Sequence, residues 1–441
     1  MRPENFVFQE AAQPQSYPLT QIERLEFCFS LPDLTGLLGS RDRMAATRSM
    51  RMIIDNGAHT LRNMGDVAML QVTIQRIRNL HPQAVLFALT SQPDLLARYC
   101  PGVQPLSPQS RDAAYLPGPH VGRWTKVWRA LRGRSRPLAC SRDFQTVFAE
   151  ADGVVLAGGG FLNDENPQQT RATLGMLADA ISQGKTVALF GQGLGPMENP
   201  QLLQCLREVC RGAPLGLRES RRGPEITRRA GAEPFRVVVT GDDAVEIVWG
   251  LRGPPPGDRT GLGISVRQVD YSGIAQKHLG LLSVALGTLR AKLKVPLVPL
   301  PVSFNSYEDD PRAIAAVTGA ASDCHGLDDP LSLIRSVGTC RLVLAGTYHA
   351  AVFALSQGVP CLAFFASDYY RDKMEGLADQ FPVGCVLVDL RAEDLAAGLV
   401  ARGEALWNQA PGLGAPLLAA AAAQVLKGKE FYRQALGTST P

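Results

Sequence analysis

Short, wholly apolar runs that end in glycine recur along this chain and alternate with helical stretches. VVLA at 154–157 runs into Gly158, Gly159 and Gly160, and VALF at 187–190 runs into Gly191. VVVT at 237–240 runs into Gly241, and LVLA at 342–345 into Gly346. A strand that is apolar on both sides must be covered on both sides, so strands of this kind alternating with helices build a parallel sheet. The pattern predicts first-half strands near 51–55 and at 84–89, 153–157, 186–190, 215–217 and 237–240. Second-half strands are expected at 262–266, 296–302, 341–345, 361–365 and 385–389. Helices are expected after Asn63 and at 171–183, 202–210, 281–294, 311–317 and 350–357, with one more ending near Ala230. The architecture is therefore α/β, two Rossmann-like domains facing a cleft. Residues 1–48 read as an N-terminal arm and 49–250 as the first domain. The Pro/Gly-rich stretch 251–261, with three consecutive prolines, reads as a linker. Residues 262–415 form the second domain, and 416–441 an Ala-rich C-terminal helix and tail.

Composition removes several functional classes. A net charge of +4 over 441 residues is too weak to imply nucleic acid. The longest apolar run, 417–423, is far short of the roughly 20 residues that span a bilayer. The first ten residues lack a signal-peptide core, and the nine cysteines lie scattered without zinc spacing. A cytoplasmic protein with reduced thiols and no metal site is expected. No G-x-G-x-x-G, Walker or G-x-S-x-G pattern appears, which disfavours dehydrogenases, P-loop NTPases and α/β-hydrolases.

One segment breaks the alternation. Residues 113–142 hold seven Lys or Arg and no Asp or Glu. Val121, Trp124, Val127, Trp128 and Leu131 share one face of a helix through it. Such a helix either lies peripherally on an anionic membrane surface or packs its Trp residues on its own domain.

Ligands of open α/β sheets bind beyond the carboxyl ends of strands, and the chemistry-bearing residues here sit at predicted strand ends. The loops at 158–164 and 191–196 are Gly-rich, which suits either close backbone approach to a ligand or tight turning. Arg218 precedes a helix that Ser220 is placed to cap, and its guanidinium can fork onto a carboxylate or phosphate. Asp242 reads first as a helix cap and second as a ligand-binding carboxylate. His349, after Thr347 and Tyr348, sits at the junction of a strand and a helix. An acid–base imidazole there lies beside free helix N–H groups that suit a phosphate. His59 is a minor candidate.

Taken in order, these motifs resemble the polysaccharide pyruvyl transferase family. The matching pieces are NMGDVA at 63–68, GGGF at 158–161, FGQGLGP at 190–196 and LRES at 217–220. They continue with TGDD at 240–243, GISVR at 263–267, GTYHAAVFALSQGVP at 346–360 and YRDKMEGL at 370–377. The resemblance implies a GT-B-like frame of two Rossmann-like domains. It also implies transfer of the pyruvyl unit of phosphoenolpyruvate to two hydroxyls of a sugar, as a ketal, with release of phosphate. No cofactor is implied beyond phosphoenolpyruvate as co-substrate. The partner would be a sugar or lipid-linked oligosaccharide precursor of a cell-surface polysaccharide. By the same carry-over His349 is the candidate acid, or alternatively the base for a hydroxyl, and Arg218 grips the donor. Arg267, Thr347, Tyr348 and Lys373 fall on the donor side. Asn63, Gly65 and Asp66 line the acceptor side, and Gly159, Gly160 and Gly193 face the cleft. Thr347 stands where many members carry Arg, which removes one anion contact that Arg267 or Lys373 would have to replace. A nucleotide-sugar glycosyltransferase on the same frame and a non-catalytic sugar-binding relative are the alternatives.

Overall fold

The computed structural model describes residues 49–116, 143–251, 258–319, 323–392 and 395–437. The expected N-terminal arm, the basic Trp segment beyond residue 116, and most of the Pro/Gly linker lie outside the described residues.

Each half is built on one parallel sheet. The first contains β1 (Arg51–Asp55), β2 (Val85–Leu89), β3 (Gln104–Leu106), β4 (Gly153–Leu156), β5 (Gly159–Leu162), β6 (Thr186–Leu194), β7 (Leu215–Leu217) and β8 (Val237–Val239). Its order is β3-β2-β1-β4-β6-β7-β8, with β5 pairing onto β6. The second contains β9 (Gly261–Ser265), β10 (Leu297–Pro299), β11 (Cys340–Ala345), β12 (Cys361–Phe365) and β13 (Cys385–Asp389), in the order β10-β9-β11-β12-β13. The apolar runs that predicted these strands are their central, fully buried members: every residue of β4, β9 and β12 is buried. Chain direction through each sheet reverses once, between β1 and β4 and between β9 and β11. Crevices at such switch points are where this kind of sheet binds ligands.

The connecting helices include α1 (Met64–Leu80), α2 (Pro93–Tyr99), α3 (Pro108–Tyr115), α4 (Phe144–Glu150), α5 (Pro167–Ser182), α6 (Pro200–Gly212), α7 (Arg222–Arg229) and α8 (Ala244–Trp249). The second half adds α9 (Gln276–Leu293), α10 (Asp310–Thr318), α11 (Pro330–Gly338), α12 (Tyr348–Ser356), α13 (Asp368–Gln380) and α14 (Leu395–Leu436). Five of these, α2, α3, α4, α11 and α13, go beyond the pattern-based expectation. All but α13 run for nine residues or fewer, too short for a 3.6-residue period to stand out. The strand expected at 296–302 is ladder-paired only at 297–299. The chain beyond it leaves its own sheet and bonds to the first half: Met64 N donates to Val302 O (2.8 Å), and Phe304 N to Arg62 O (2.8 Å).

Two expectations need correction. Ser220 does not cap the helix after Arg218. Glu219 does, its carboxylate accepting from the N–H groups of Arg221 (2.6 Å), Arg222 (3.0 Å) and Gly223 (2.6 Å). A charge beside the positive end of a helix outcompetes a hydroxyl there. The C-terminal helix also begins at Leu395, twenty-one residues before the expected 416, and runs through both Pro411 and Pro416. An interior proline costs a helix about 3 kcal/mol, and burial along its whole length offsets that here. Leu399, Val400 and Leu406 pack in the second half's core, whereas Leu417, Ala421, Phe431 and Tyr432 join the core shared by both halves. Tyr432 stacks on Phe190 of β6 (3.5 Å between ring centroids) and donates to Asp243 Oδ2 (2.9 Å). Arg76 of α1 completes that buried anchor, bonding Asp243 (2.6 Å) and Glu246 (2.7 Å).

Candidate functional site

Between the two sheets lies a cavity of about 410 Å³, lined from both halves. The first half contributes Asn56 after β1, Asn63 and Asp66 at the start of α1, Gly160 of β5, and Arg218 after β7. The second half contributes Arg267 after β9, Thr347, Tyr348 and His349 at the start of α12, and Lys373 of α13. All but Lys373, which lies inside α13, sit at or near a strand end or helix start, so the backbone fixes the root of each side chain.

His349 is only 6% exposed, yet it faces this cavity. Among the described residues its Nε2 makes no hydrogen bond, and it lies 3.7 Å from Asp242 Oδ2, which makes none either. Burial pulls the imidazole well below its ordinary pKa, and the charges of Arg218, Arg267 and Lys373 push it the same way. It is therefore neutral at physiological pH. Asp242 bonds the start of α8 from just before it, and its second oxygen turns toward His349 and Arg218. Oδ1 accepts from Ala244 N at the start of α8 (2.9 Å), while Oδ2 faces His349 and the Arg218 Nη1 at 3.7 Å. Burial raises its pKa to about 6 against the pull of Arg218.

Three glycines explain how these groups fit. A Cβ on Gly65 would lie 2.0 Å from the His349 ring. A Cβ on Gly160 or Gly193 would lie 2.6 or 2.5 Å from the Arg218 guanidinium. In the Gly-rich loops, read as suited to close backbone approach to a ligand or to tight turning, Gly160 and Gly193 leave room for the Arg218 guanidinium. Gly193 borders a small adjoining pocket with Arg218 and Lys373. Gly159 packs under the Phe161 ring and does not line the main cavity.

The cations differ in how committed they are. Arg267 is clamped by Asp310, Nε to Oδ1 at 2.8 Å and Nη2 to Oδ2 at 2.9 Å, with Glu308 at 3.4 Å. Its charge is largely balanced within its own half. Arg218 lies over the Tyr348 ring, 4.2 Å from its centroid, and its guanidinium makes no hydrogen bond among the described residues. Lys373 sits over the Tyr369 ring at 3.9 Å. Burial, then Arg218 and Arg267, hold its ammonium well below the ordinary lysine pKa. Thr347 lines the cavity, and its hydroxyl shares a 2.7 Å hydrogen bond with Ser265. Among the described residues the Tyr348 hydroxyl makes no close hydrogen bond.

At the start of α1 Asn63 caps the helix, its Oδ1 accepting from Gly65 N (3.1 Å). Asp66 in the first turn is pushed up to about 7 by burial and by Glu308, against the pull of Arg267, Arg218 and Lys373. Glu308, bonded to Tyr271 and facing Arg267, stays below the ordinary carboxyl value despite its burial. Two carboxyl groups in one cavity thus have divergent proton affinities. His59 pairs with Asp55 (2.9 Å) and does not line this cavity.

Asn56 was missed by the sequence reading. It is 1% exposed, it lines the cavity, and neither Oδ1 nor Nδ2 makes a hydrogen bond among the described residues. The only sequence hint is its place between a strand end and Gly57. Among the described residues no group of His, Cys, Asp or Glu is arranged to hold a metal ion, and no helix is long and apolar enough to cross a membrane.

Comparison with solved structures places this frame. A Listeria monocytogenes protein assigned as a UDP-N-acetylglucosamine 2-epimerase matches 85% of this chain and 94% of its own, at 13% identity and a TM-score of 0.53. A trehalose-6-phosphate synthase from Burkholderia multivorans matches 88% and 98% at 14% identity and a TM-score of 0.49. The likeness to the first shows the fold, two Rossmann-like halves in the GT-B manner. No curated protein sequence matches the chain. The polysaccharide pyruvyl transferase family model matches residues 63–369, from the cap of α1 to Tyr369 beside Lys373. With that span covering most of both sheets and the cavity-lining residues from Asn63 to Tyr369, the chain belongs to the polysaccharide pyruvyl transferase family.

Proposed function

We propose that this protein transfers the pyruvyl unit of phosphoenolpyruvate to two hydroxyls of a sugar in a cell-surface polysaccharide precursor, forming a ketal and releasing phosphate. The observation that carries this reading is the pair Arg218 and Lys373. Two cations face one cavity without a hydrogen-bonded counterion among the described residues, and Lys373 is destabilised by its neighbours. A small, multiply charged anion relieves that repulsion, and phosphoenolpyruvate offers a phosphate and a carboxylate. Lys373 then supplies the contact absent at Thr347, because Arg267 is already held by Asp310.

The chemistry follows from the protonation states. Asp66, near pKa 7, carries a proton for part of the time at neutral pH and donates it to the methylene carbon. The resulting oxocarbenium-like carbon is attacked by a sugar hydroxyl, whose proton passes to neutral His349. Asp242 stabilises the imidazolium so formed. The carbon–oxygen bond to phosphate then breaks, a second hydroxyl closes the ketal, and its proton leaves with phosphate. One proton enters at carbon, two leave the hydroxyls and one departs on phosphate, so the balance is complete. No cofactor is needed. The acceptor is a sugar or a lipid-linked oligosaccharide, and the site of action the cytoplasm.

Ligand-dependent unfolding tests the donor. Phosphoenolpyruvate at 100 times its dissociation constant should stabilise the protein by about 2.7 kcal/mol. Stabilisation by a nucleotide sugar, with none by phosphoenolpyruvate, overturns the proposal in favour of a glycosyltransferase.

A further inference from the structure

From β12 the chain runs out through α13, the helix that carries Lys373, and returns along β13 to bring two cysteines side by side. Cys361 opens β12 and Cys385 opens β13, and the two are direct partners in the parallel ladder. Partnered residues of neighbouring strands point their side chains to the same face of the sheet, from backbones about 4.8 Å apart. A disulfide bridges Cα atoms about 4.4–6.8 Å apart, so the ladder itself supplies the spacing. The sulfurs are 3.8 Å apart, and the Cys361 thiol donates to Cys385 Sγ. Cys361 N also donates to Gly384 O (2.8 Å), which pins the backbone beside both thiols. Among the described cysteines this is the pair in sulfur–sulfur contact.

The two thiols differ in access. Cys361 is 0% exposed, on a strand flanked by β11 and β13. Cys385 is half-buried, on the outermost strand of the sheet. A small oxidant therefore meets Cys385 first. The hydrogen bond to Cys385, together with burial, holds the Cys361 thiol well above its ordinary pKa, so it stays protonated until its neighbour changes. Both sulfurs lie at the N-terminal ends of their strands, whereas the catalytic cavity lies beyond the C-terminal ends. Neither takes part in the transfer reaction.

We propose that Cys361 and Cys385 form a reversible oxidation site, in which Cys385 reacts with a peroxide and Cys361 closes a cross-strand disulfide that spares Cys385 from irreversible oxidation. With hydrogen peroxide, the Cys385 sulfur attacks one oxygen, the O–O bond breaks, and the thiol proton leaves with the other oxygen as water. Cys385 is then a sulfenic acid, oxidised by two electrons as the peroxide is reduced. The Cys361 sulfur attacks the Cys385 sulfur and the S–O bond breaks. The hydroxyl departs as water with the Cys361 proton, which the hydrogen bond already directs toward that sulfur. The new bond joins the two ends of the β12–α13–β13 unit. In a thiol-reducing compartment it is undone by exchange with two equivalents of a small thiol.

The experiment treats the reduced full chain with hydrogen peroxide and maps the products by mass spectrometry. Trypsin cuts after Arg371 and Lys373 and so separates the two cysteines, and a linked peptide pair identifies the bond. Wild-type protein should give the 361–385 link, with loss of alkylation at both positions, and dithiothreitol should restore both thiols. In Cys361→Ala, dimedone should label Cys385, and excess peroxide should carry that residue to a sulfinic acid that dithiothreitol does not reverse. Cys385→Ala should leave Cys361 unmodified at the same dose. Unfolding temperatures check that the variants fold, and the wild-type link alone decides if either does not. Absence of that link in the wild type, predominant linkage of either residue to another cysteine, or undiminished oxidation of Cys361 in folded Cys385→Ala overturns the proposal.

Discussion

Gly65→Ala tests the central geometry with a single methyl group. An ideal Cβ at this position lies 2.0 Å from His349 Cγ and Nδ1 and 2.6 Å from Cδ2. To reach ordinary van der Waals contact the imidazole must retreat by about 1.4 Å, and a misplacement of about 1 Å at a reacting group costs about 10²-fold in rate. That is about 2.7 kcal/mol in the barrier. The effect on stability is smaller, because two terms oppose. Overpacking costs about 1–3 kcal/mol, while replacing Gly by Ala within a helix returns up to about 1 kcal/mol. The variant should therefore fold, bind phosphoenolpyruvate through Arg218 and Lys373, and release phosphate about 10²-fold more slowly. Gly280→Ala is the matched control: Gly280 also lies in a helix, and its Cβ would meet nothing within 4 Å. The assay is acceptor-dependent phosphate release. A folded Gly65→Ala protein turning over at the wild-type rate would refute the placement of the imidazole against α1 as a catalytic requirement.

Two further outcomes follow from the electrostatics. His349 and Lys373 sit below their ordinary pKa values in the free protein, and Asp66 sits near 7. An anion raises all three, so phosphoenolpyruvate binding near pH 7 should take up protons. Calorimetry in two buffers of different ionisation enthalpy reads this directly, and identical heats in both would contradict it. If Asp66 donates the proton to carbon, kcat/KM should fall as pH rises through about 7. Asp66→Asn should then abolish that limb and lower turnover by roughly 10²–10⁴-fold. An unchanged pH profile in Asp66→Asn would move the acid elsewhere.

The alternation of strands and helices, the split into two halves, the strand-end position of Arg218 and the helix-start positions of Asp66 and His349 could all be read locally. Burial on both faces leaves a continuous apolar run, and a helix start leaves a cap, within a few residues of chain. The family resemblance read the same motifs in sequence order, and the family match confirms it. The basic Trp segment and the N-terminal arm lie outside the described residues.

What only the tertiary structure decided are pairings between residues far apart in the chain. Nothing near Arg267 announces that Asp310 neutralises it from 43 residues away, or near Thr347 that its hydroxyl is held by Ser265. The glycine motifs were visible, but their use was not. Gly65 faces a ring 284 positions later in the chain, because the two sheets meet there. The unmet polar atoms of Asn56 are likewise defined by what the described residues do not bring to them. Periodicity reports which face of an element is covered; which partner covers it, and which donor goes without one, is set when the elements pack.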